Sequence, residues 1–257
     1  MQALLPVFAL WRREMVRFVR QRSRISGAFA QPLVFWLLLG GGLNASFQPA
    51  GTAAGTSYVA YFYPGTIALV LLFTAIFSTI STVEDRKAGF LQGVLVAPVP
   101  RSSIVLGQAM GGTSLAVIQG MMFLALAPLV GIPLSLASIV SSFLVMCLMA
   151  LALTSLGLII AWRMDSTQGF HAIMNLILLP IWFLSGAFFP ASGAPAPLRL
   201  LMNLDPLTYG MAALRRCLYL SGSGNVGPVP GMASSLLITL IFAAASFAFA
   251  VRSASRV

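Results

Sequence analysis

Charged residues are scarce in this sequence, and this scarcity excludes most classes of soluble protein. Only 8% of the 257 residues are Asp, Glu, Lys or Arg, whereas 59% are hydrophobic. Soluble domains carry about 25% charged residues. Apolar runs near 20 residues long follow one another, as expected for membrane-spanning helices. These runs are continuously apolar and do not alternate, so the sequence argues against a membrane β-barrel.

Lysine, histidine and cysteine are almost absent. The only lysine, Lys87, follows Arg86, so the Gly-Lys-Ser/Thr core of a phosphate-binding loop cannot form. One histidine and two cysteines provide neither a metal-ligand cluster nor a disulfide framework. We therefore expect no catalytic residue, no metal site and no cofactor bound by this chain itself.

Acidic residues are also missing from the middle of the apolar runs. Glu84, Asp85, Asp165 and Asp205 all lie between runs. Ion-coupled carriers usually need an ionisable group within the membrane. An ion-coupled secondary transporter, or a channel-like protein that needs no ATPase, is thus the weaker alternative.

The predicted fold is an all-α polytopic membrane protein with six spans. The spans are 28–47, 58–82, 104–130, 135–162, 169–189 and 232–251. Of the 15 basic residues, only Arg199, Arg215 and Arg216 fall on the side opposite the N-terminus. The positive-inside rule therefore places both termini in the cytoplasm. Most basic residues flank spans, so the net charge of +10 does not indicate nucleic-acid binding.

The N-terminal segment 1–25 is predicted to be an amphipathic helix on the membrane surface. Six arginines lie between positions 12 and 24. Burying all of them at mid-bilayer would cost on the order of 15–20 kcal/mol. Membrane lipids are the expected partners of this surface helix.

The segment 197–220, between spans 5 and 6, is also predicted to be a helical region that does not span the membrane. Asp205-Pro206 is a helix start, because Asp caps free N–H groups and Pro suits the first helical position. About 15 residues reach roughly 22 Å, less than a hydrocarbon core about 30 Å thick. We expect this helix to lie in the outer leaflet, or to enter the membrane and return as a re-entrant helix.

Few polar residues occur within the spans. Gln119 and Asn175 either line a transport path or form hydrogen bonds between helices. Gly107 and Gly111, four residues apart at the start of span 3, would allow another helix to approach closely.

The segment 84–97 is the longest charged passage between two apolar runs. Glu84-Asp85-Arg86-Lys87 precedes Phe90 and Leu91, which predicts a short helix with a charged start and an apolar face. Pro98 and Pro100 end this helix. A solvated turn has no need of such an apolar face, so we favour a docking function for it.

Three passages resemble the permease subunits of type-2 ABC exporters, in the branch of the daunorubicin-resistance and nodulation permeases. They are Glu84-Asp85-Arg86-Lys87-Ala88-Gly89-Phe90-Leu91, Leu184-Ser185-Gly186-Ala187-Phe188-Phe189-Pro190 and Asp205-Pro206-Leu207-Thr208-Tyr209-Gly210. The resemblance implies a bacterial inner-membrane permease that pairs with a second copy of itself and with two copies of a separate ABC ATPase. That ATPase would bind ATP and Mg. The cargo would be an amphipathic or lipid-linked molecule, such as a drug, a glycolipid or a polysaccharide, moved outward.

The resemblance also assigns roles to individual segments. Segment 84–97 corresponds to the coupling helix, with Glu84, Asp85, Arg86, Lys87, Phe90 and Leu91 as the contacts to the ATPase. Segment 1–25 corresponds to the connecting helix, with Trp11, Arg12, Arg13 and Arg17. Segment 197–220 corresponds to the re-entrant helices, with Asp205, Pro206, Tyr209 and Arg215.

Overall fold

The computed structural model describes residues 4–20, 30, 32–43, 57–220 and 229–256. Within these ranges the chain is almost entirely helical and forms no β-strand. The helices in chain order are α1 (Leu4–Arg20), α2 (Pro32–Leu43), α3 (Tyr58–Ser78), α4 (Ile80–Lys87), α5 (Phe90–Val96), α6 (Arg101–Leu124), α7 (Leu136–Ala161), α8 (Thr167–Leu184), α9 (Ala196–Leu204), α10 (Pro206–Leu218) and α11 (Met232–Ala254). The all-helical prediction is thus confirmed for the described residues.

Five helices in the described part of the chain are long and apolar enough to cross a membrane. They are α3 together with α4 (Tyr58–Lys87), α6, α7, α8 and α11, and they match the last five predicted spans. The first predicted span, 28–47, lies partly outside the described residues. Its described part is α2, a shorter apolar helix. The total of six spans therefore stays a prediction.

Helix α3 is the centre of the bundle. It is apolar on all sides and almost every residue of it is buried, as expected for a helix surrounded by others. Helices α6 and α7 pack along it, and α11 packs on the outside of α7. Helices α8 and α11 keep most of their apolar surface exposed. This arrangement makes α3 the helix through which the two ends of the bundle are connected.

Helices α9 and α10 lie at one end of the bundle. The break between them falls at Asp205, whose carboxylate accepts a hydrogen bond from the N–H of Leu207 at 3.0 Å, and Pro206 is the first residue of α10. The predicted helix start is therefore confirmed. With 9 and 13 residues, the two helices reach roughly 14 and 20 Å, too short to span a bilayer. Whether they re-enter the membrane stays a prediction.

Candidate functional site

The charged residues 84–87 form the last turn of the long central helix, where we had predicted the first turn of a new one. Helix α4 ends at Lys87, and the next helix begins at Phe90. Between them Gly89 adopts a left-handed conformation with φ 75°. Glycine takes this conformation without the steric penalty that a side chain adds. The single helix predicted for 84–97 is therefore wrong: it is two helices joined at Gly89.

Helix α1 is joined to the end of α4 by a cluster of ion pairs. Arg13 donates two hydrogen bonds to the carboxylate of Asp85, the second at 2.6 Å. Arg17 donates to Asp85 at 3.0 Å and to Glu84 at 2.5 Å. Because Arg13 and Arg17 are four residues apart, they lie on the same face of α1. The hydrogen bond to Asp85 raises the pKa of Arg13 above its usual value.

A second face of α1 lies against α6. The Cα atoms of Gly107 and Gly111 leave room there, since an added Cβ would come within 2.9 Å of the Cβ of Leu10 and within 2.8 Å of the Cβ of Glu14. The indole N–H of Trp11 donates to the hydroxyl of Ser114 at 3.0 Å. The predicted close helix approach at these glycines is confirmed, and the helix that approaches is α1.

Glu14 is a functional candidate that the sequence analysis missed. It is buried between α1 and α6, and its carboxylate lies 3.8 Å from the guanidinium of Arg13. Burial raises the pKa of Glu14, although the charge of Arg17 opposes the shift. No local sequence pattern indicates that this acid is buried, because its neighbours are the arginines of a predicted surface helix. Only the contact with α6 reveals that it is inside.

The segment after Gly89 presents a small exposed surface. Phe90 is 40% exposed and its ring packs 3.9 Å under the guanidinium of Arg13. Lys87 and Val96 are also exposed. Leu91, by contrast, is 1% exposed and belongs to the apolar cluster between α1, α6 and α7. The expectation that Leu91 contacts a partner is therefore wrong for this structure, and its role is to hold α5 in place.

Arg86 also makes contacts within the chain. Its guanidinium donates to Asp165 at 3.0 Å and to the carbonyl of Trp162. Trp162 directly follows α7 and Asp165 lies in the turn between α7 and α8, where the hydroxyl of Ser166 caps α8. Arg86 thus ties α4 to this turn, and its predicted contact with an ATPase stays a prediction. Helix α4 is held from two sides, by α1 and by the α7–α8 turn.

At the opposite end of the bundle, aromatic side chains tie α3 to its neighbours. Pro64 in α3 has no N–H, so the carbonyl of Ala60 loses its helical donor. The hydroxyl of Tyr219, which follows α10, donates to this carbonyl at 3.0 Å. The hydroxyl of Tyr61 donates to the carbonyl of Gly186 at 3.1 Å. We call these contacts the aromatic clamp.

Three predicted residues of the 197–220 segment lie in this region with different partners. Asp205 caps α10, and burial raises its pKa to about 7. The hydroxyl of Tyr209 donates to the carbonyl of Asn203 at 3.0 Å, near the surface. Arg215 is buried over the ring of Tyr61. These residues therefore do not form a single site.

The family model for ABC-2 type transporters matches residues 6–219. The chain belongs to the ABC-2 type transporter family. A transport permease named ycf38 from Porphyra purpurea is 30% identical over 210 residues, which cover 80% of this chain and 72% of that protein. Nodulation protein J from Rhizobium leguminosarum bv. trifolii is 28% identical over 210 residues, which cover 80% of this chain and 79% of that protein.

As a member of this family, the chain is a multi-pass membrane transport protein. Family membership also implies that it assembles with an ABC ATPase subunit. It also supports the expectation that this permease is not itself an enzyme. The resemblance noted in the sequence is confirmed at the level of the family and of its nodulation-permease relatives.

The two polar residues considered as path-lining candidates in this ABC-2 permease differ in their exposure and in their contacts. Gln119 is 2% exposed, and its side-chain oxygen accepts a hydrogen bond from Thr74 on α3. Asn175 is exposed on α8. The structure therefore supports the interhelical alternative for Gln119, and it does not bring Asn175 to the same place.

Proposed function

We propose that this ABC-2 permease is the membrane subunit of an ATP-driven exporter, and that α1, α4 and α5 together form its coupling unit. The cluster of ion pairs between Arg13, Arg17, Glu84 and Asp85 carries the proposal, because it joins α1 to α4. The packing of Arg13 over the Phe90 ring joins α5 to the same unit. Helix α4 follows the central helix α3 after a break at Thr79. A displacement of α5 would therefore move α1 and α4 together, and the helices packed around α3 would carry it toward the opposite end of the bundle.

The exposed side chains of this coupling unit define where an ATPase would dock. Phe90 offers an apolar ring and Val96 an apolar end, while Lys87 offers a charge beside them. A central apolar anchor with polar neighbours is a common arrangement in protein interfaces. We propose that one ATPase seats on this surface in each of two permease copies. The energy for transport would come from ATP bound with Mg in the partner.

The distribution of basic residues supports an orientation in which this surface faces the cytoplasm, and we propose the inner membrane of a bacterium as the location. The cargo would leave through a path bounded by apolar helices, so we propose an amphipathic or lipid-linked molecule. The exposed apolar surfaces of α8 and α11 would face lipid or the second permease copy.

Phe90→Asp tests the docking surface. The side chain is 40% exposed, so the variant should insert and fold normally. A charge placed at the centre of an apolar contact should abolish co-purification of the ATPase and uncouple ATP hydrolysis from transport. Phe90→Leu, which keeps an apolar side chain, serves as the control. Wild-type transport by Phe90→Asp would contradict the proposal.

A further inference from the structure

Arg215 is a buried cation for which the chain supplies no acidic partner. Its side chain is 4% exposed, and none of the five acids of the sequence, all of which lie in described segments, forms an ion pair with it. Its guanidinium donates long hydrogen bonds to the carbonyls of Tyr61 (3.4 Å) and Gly186 (3.3 Å). These neutral acceptors do not cancel the charge. An uncompensated charge in a buried position is costly, so the arrangement favours an anion beside it.

A small cavity lies next to this guanidinium. Arg215 lines it together with Ser185, Gly186 and Thr208, and the cavity holds about 30 Å³. This volume accommodates about two water molecules, or the oxygens at the tip of one anionic group. The Nε atom of Arg215 is buried and has no hydrogen-bond partner in the structure. The hydroxyls of Ser185 and Thr208 already donate to the carbonyls of Trp182 and Met202, so Arg215 is the donor that an anion would use.

The surroundings of the cavity indicate what kind of molecule carries the anion. Met202 of α9 forms one wall. Three other side chains of α9 project from the bundle as exposed apolar surface, namely Leu200, Leu201 and Leu204. These leucines lie on the face of α9 away from Met202, so an acyl chain that buried them would have to pass around the helix for its headgroup to reach the guanidinium. Planar guanidinium groups match the oxygens of phosphate well.

We infer that Arg215 forms a binding site for the phosphate group of an anionic amphiphile, with the apolar part of that molecule on α9. The inference does not depend on the proposed export function, because binding needs neither an ATPase nor turnover. It assigns Arg215 a ligand, in addition to its packing over Tyr61.

The test is a titration of the whole chain, purified in an uncharged detergent, with thermal unfolding as the readout. Dihexanoyl phosphatidic acid is the probe, inorganic phosphate tests a free anion, and dihexanoylglycerol tests the apolar part alone. We expect phosphatidic acid to raise the unfolding midpoint in a saturable manner. Dihexanoylglycerol should leave the midpoint unchanged, and inorganic phosphate should require a much higher concentration.

Arg215→Gln should weaken the apparent affinity for phosphatidic acid on the order of 10–100-fold, the range for one charge-assisted hydrogen-bonding group. Arg163→Gln is the matched control: it removes an equal charge from an exposed side chain between α7 and α8 that does not line the cavity. It should keep the wild-type affinity. Arg215→Lys, which retains the charge, should bind with intermediate affinity and covers the case in which Arg215→Gln does not fold.

Three results would overturn the inference. A wild-type chain whose midpoint does not respond to phosphatidic acid has no such site, whatever the variants do. Equal losses in Arg215→Gln and Arg163→Gln would show a general effect of net charge. Inorganic phosphate that binds as tightly as phosphatidic acid would leave an anion site but remove the amphiphile from it.

Discussion

Removing the charge of Asp85 should release α1 from the rest of the permease. The Asp85 side chain is 5% exposed and accepts hydrogen bonds from both Arg13 and Arg17. Asp85→Asn keeps the shape and leaves both arginines without this carboxylate. Breaking a buried ion pair costs about 3–5 kcal/mol. The lower end applies because Arg13 is 32% exposed and water can replace part of the contact. A loss of about 3 kcal/mol lowers the ratio of docked to undocked α1 about 100-fold.

Amide hydrogen exchange of the permease in lipid nanodiscs measures this release. Peptides from α1 should exchange up to about 100-fold faster in Asp85→Asn, because docking controls their opening, while peptides from α7 should not change. Asp165→Asn is the control, since it removes the same charge from a side chain that is 88% exposed. The double variant Arg13→Gln/Asp85→Asn should cost less than the sum of the single changes. Unchanged exchange in Asp85→Asn, or strict additivity, would refute the idea that this pair holds α1.

Three further changes test the packing around the coupling unit and the aromatic clamp. Gly111→Ala forces a Cβ to within 2.8 Å of the Cβ of Glu14 and should destabilise the chain by about 1–3 kcal/mol. Gly93→Ala meets no atom within 4 Å and should be neutral or slightly stabilising in thermal unfolding. Equal unfolding midpoints for the two variants would contradict the close packing of α1 against α6 at Gly111. Tyr219→Phe leaves the carbonyl freed by the helix proline without a donor and should cost about 1–2 kcal/mol. Tyr209→Phe, near the surface, should cost much less. The folded state binds the proton of Glu14 more tightly because the pKa is raised, so stability should fall as pH rises above the ordinary glutamate pKa. Glu14→Gln should reduce that slope without removing it, because burial also raises the pKa of Asp205. A slope unchanged in Glu14→Gln would show that Glu14 contributes none of it.

The sequence allowed the spans and several of their ends to be predicted, because these depend on local chemistry. A long apolar run is helical wherever it meets lipid, since its backbone has no other hydrogen-bond partners. The cap at Asp205 depends on a side chain within three residues of the helix start. Such features are determined by neighbouring residues, and the structure confirms the predictions made for them.

The partners of the charged residues could not be predicted in the same way. Arg13 and Asp85 are 72 positions apart, and nothing in the sequence distinguishes a pair within one chain from two contacts to a partner. The same ambiguity misplaced Leu91, an apolar residue of the predicted docking surface that lies inside. It also concealed the contact of Arg86 with Asp165. The break at Gly89 was missed because a glycine in a short amphipathic segment is compatible with either a continuous helix or a left-handed turn.

The junction between α3 and α4 explains why the coupling unit needs support from two sides. The helix is interrupted at Thr79, whose backbone (φ −73°, ψ −9°) departs from α-helical values and whose hydroxyl donates to the carbonyl of Ile76. Such a point bends more easily than a continuous helix, so a displacement of α4 alone would be lost there. The ion pairs from α1 and the contact of Arg86 with the α7–α8 turn restrain α4 on two sides. Under the proposed function, a push on α5 therefore moves α1, α4 and that turn together, and α3 follows because its neighbours move with it.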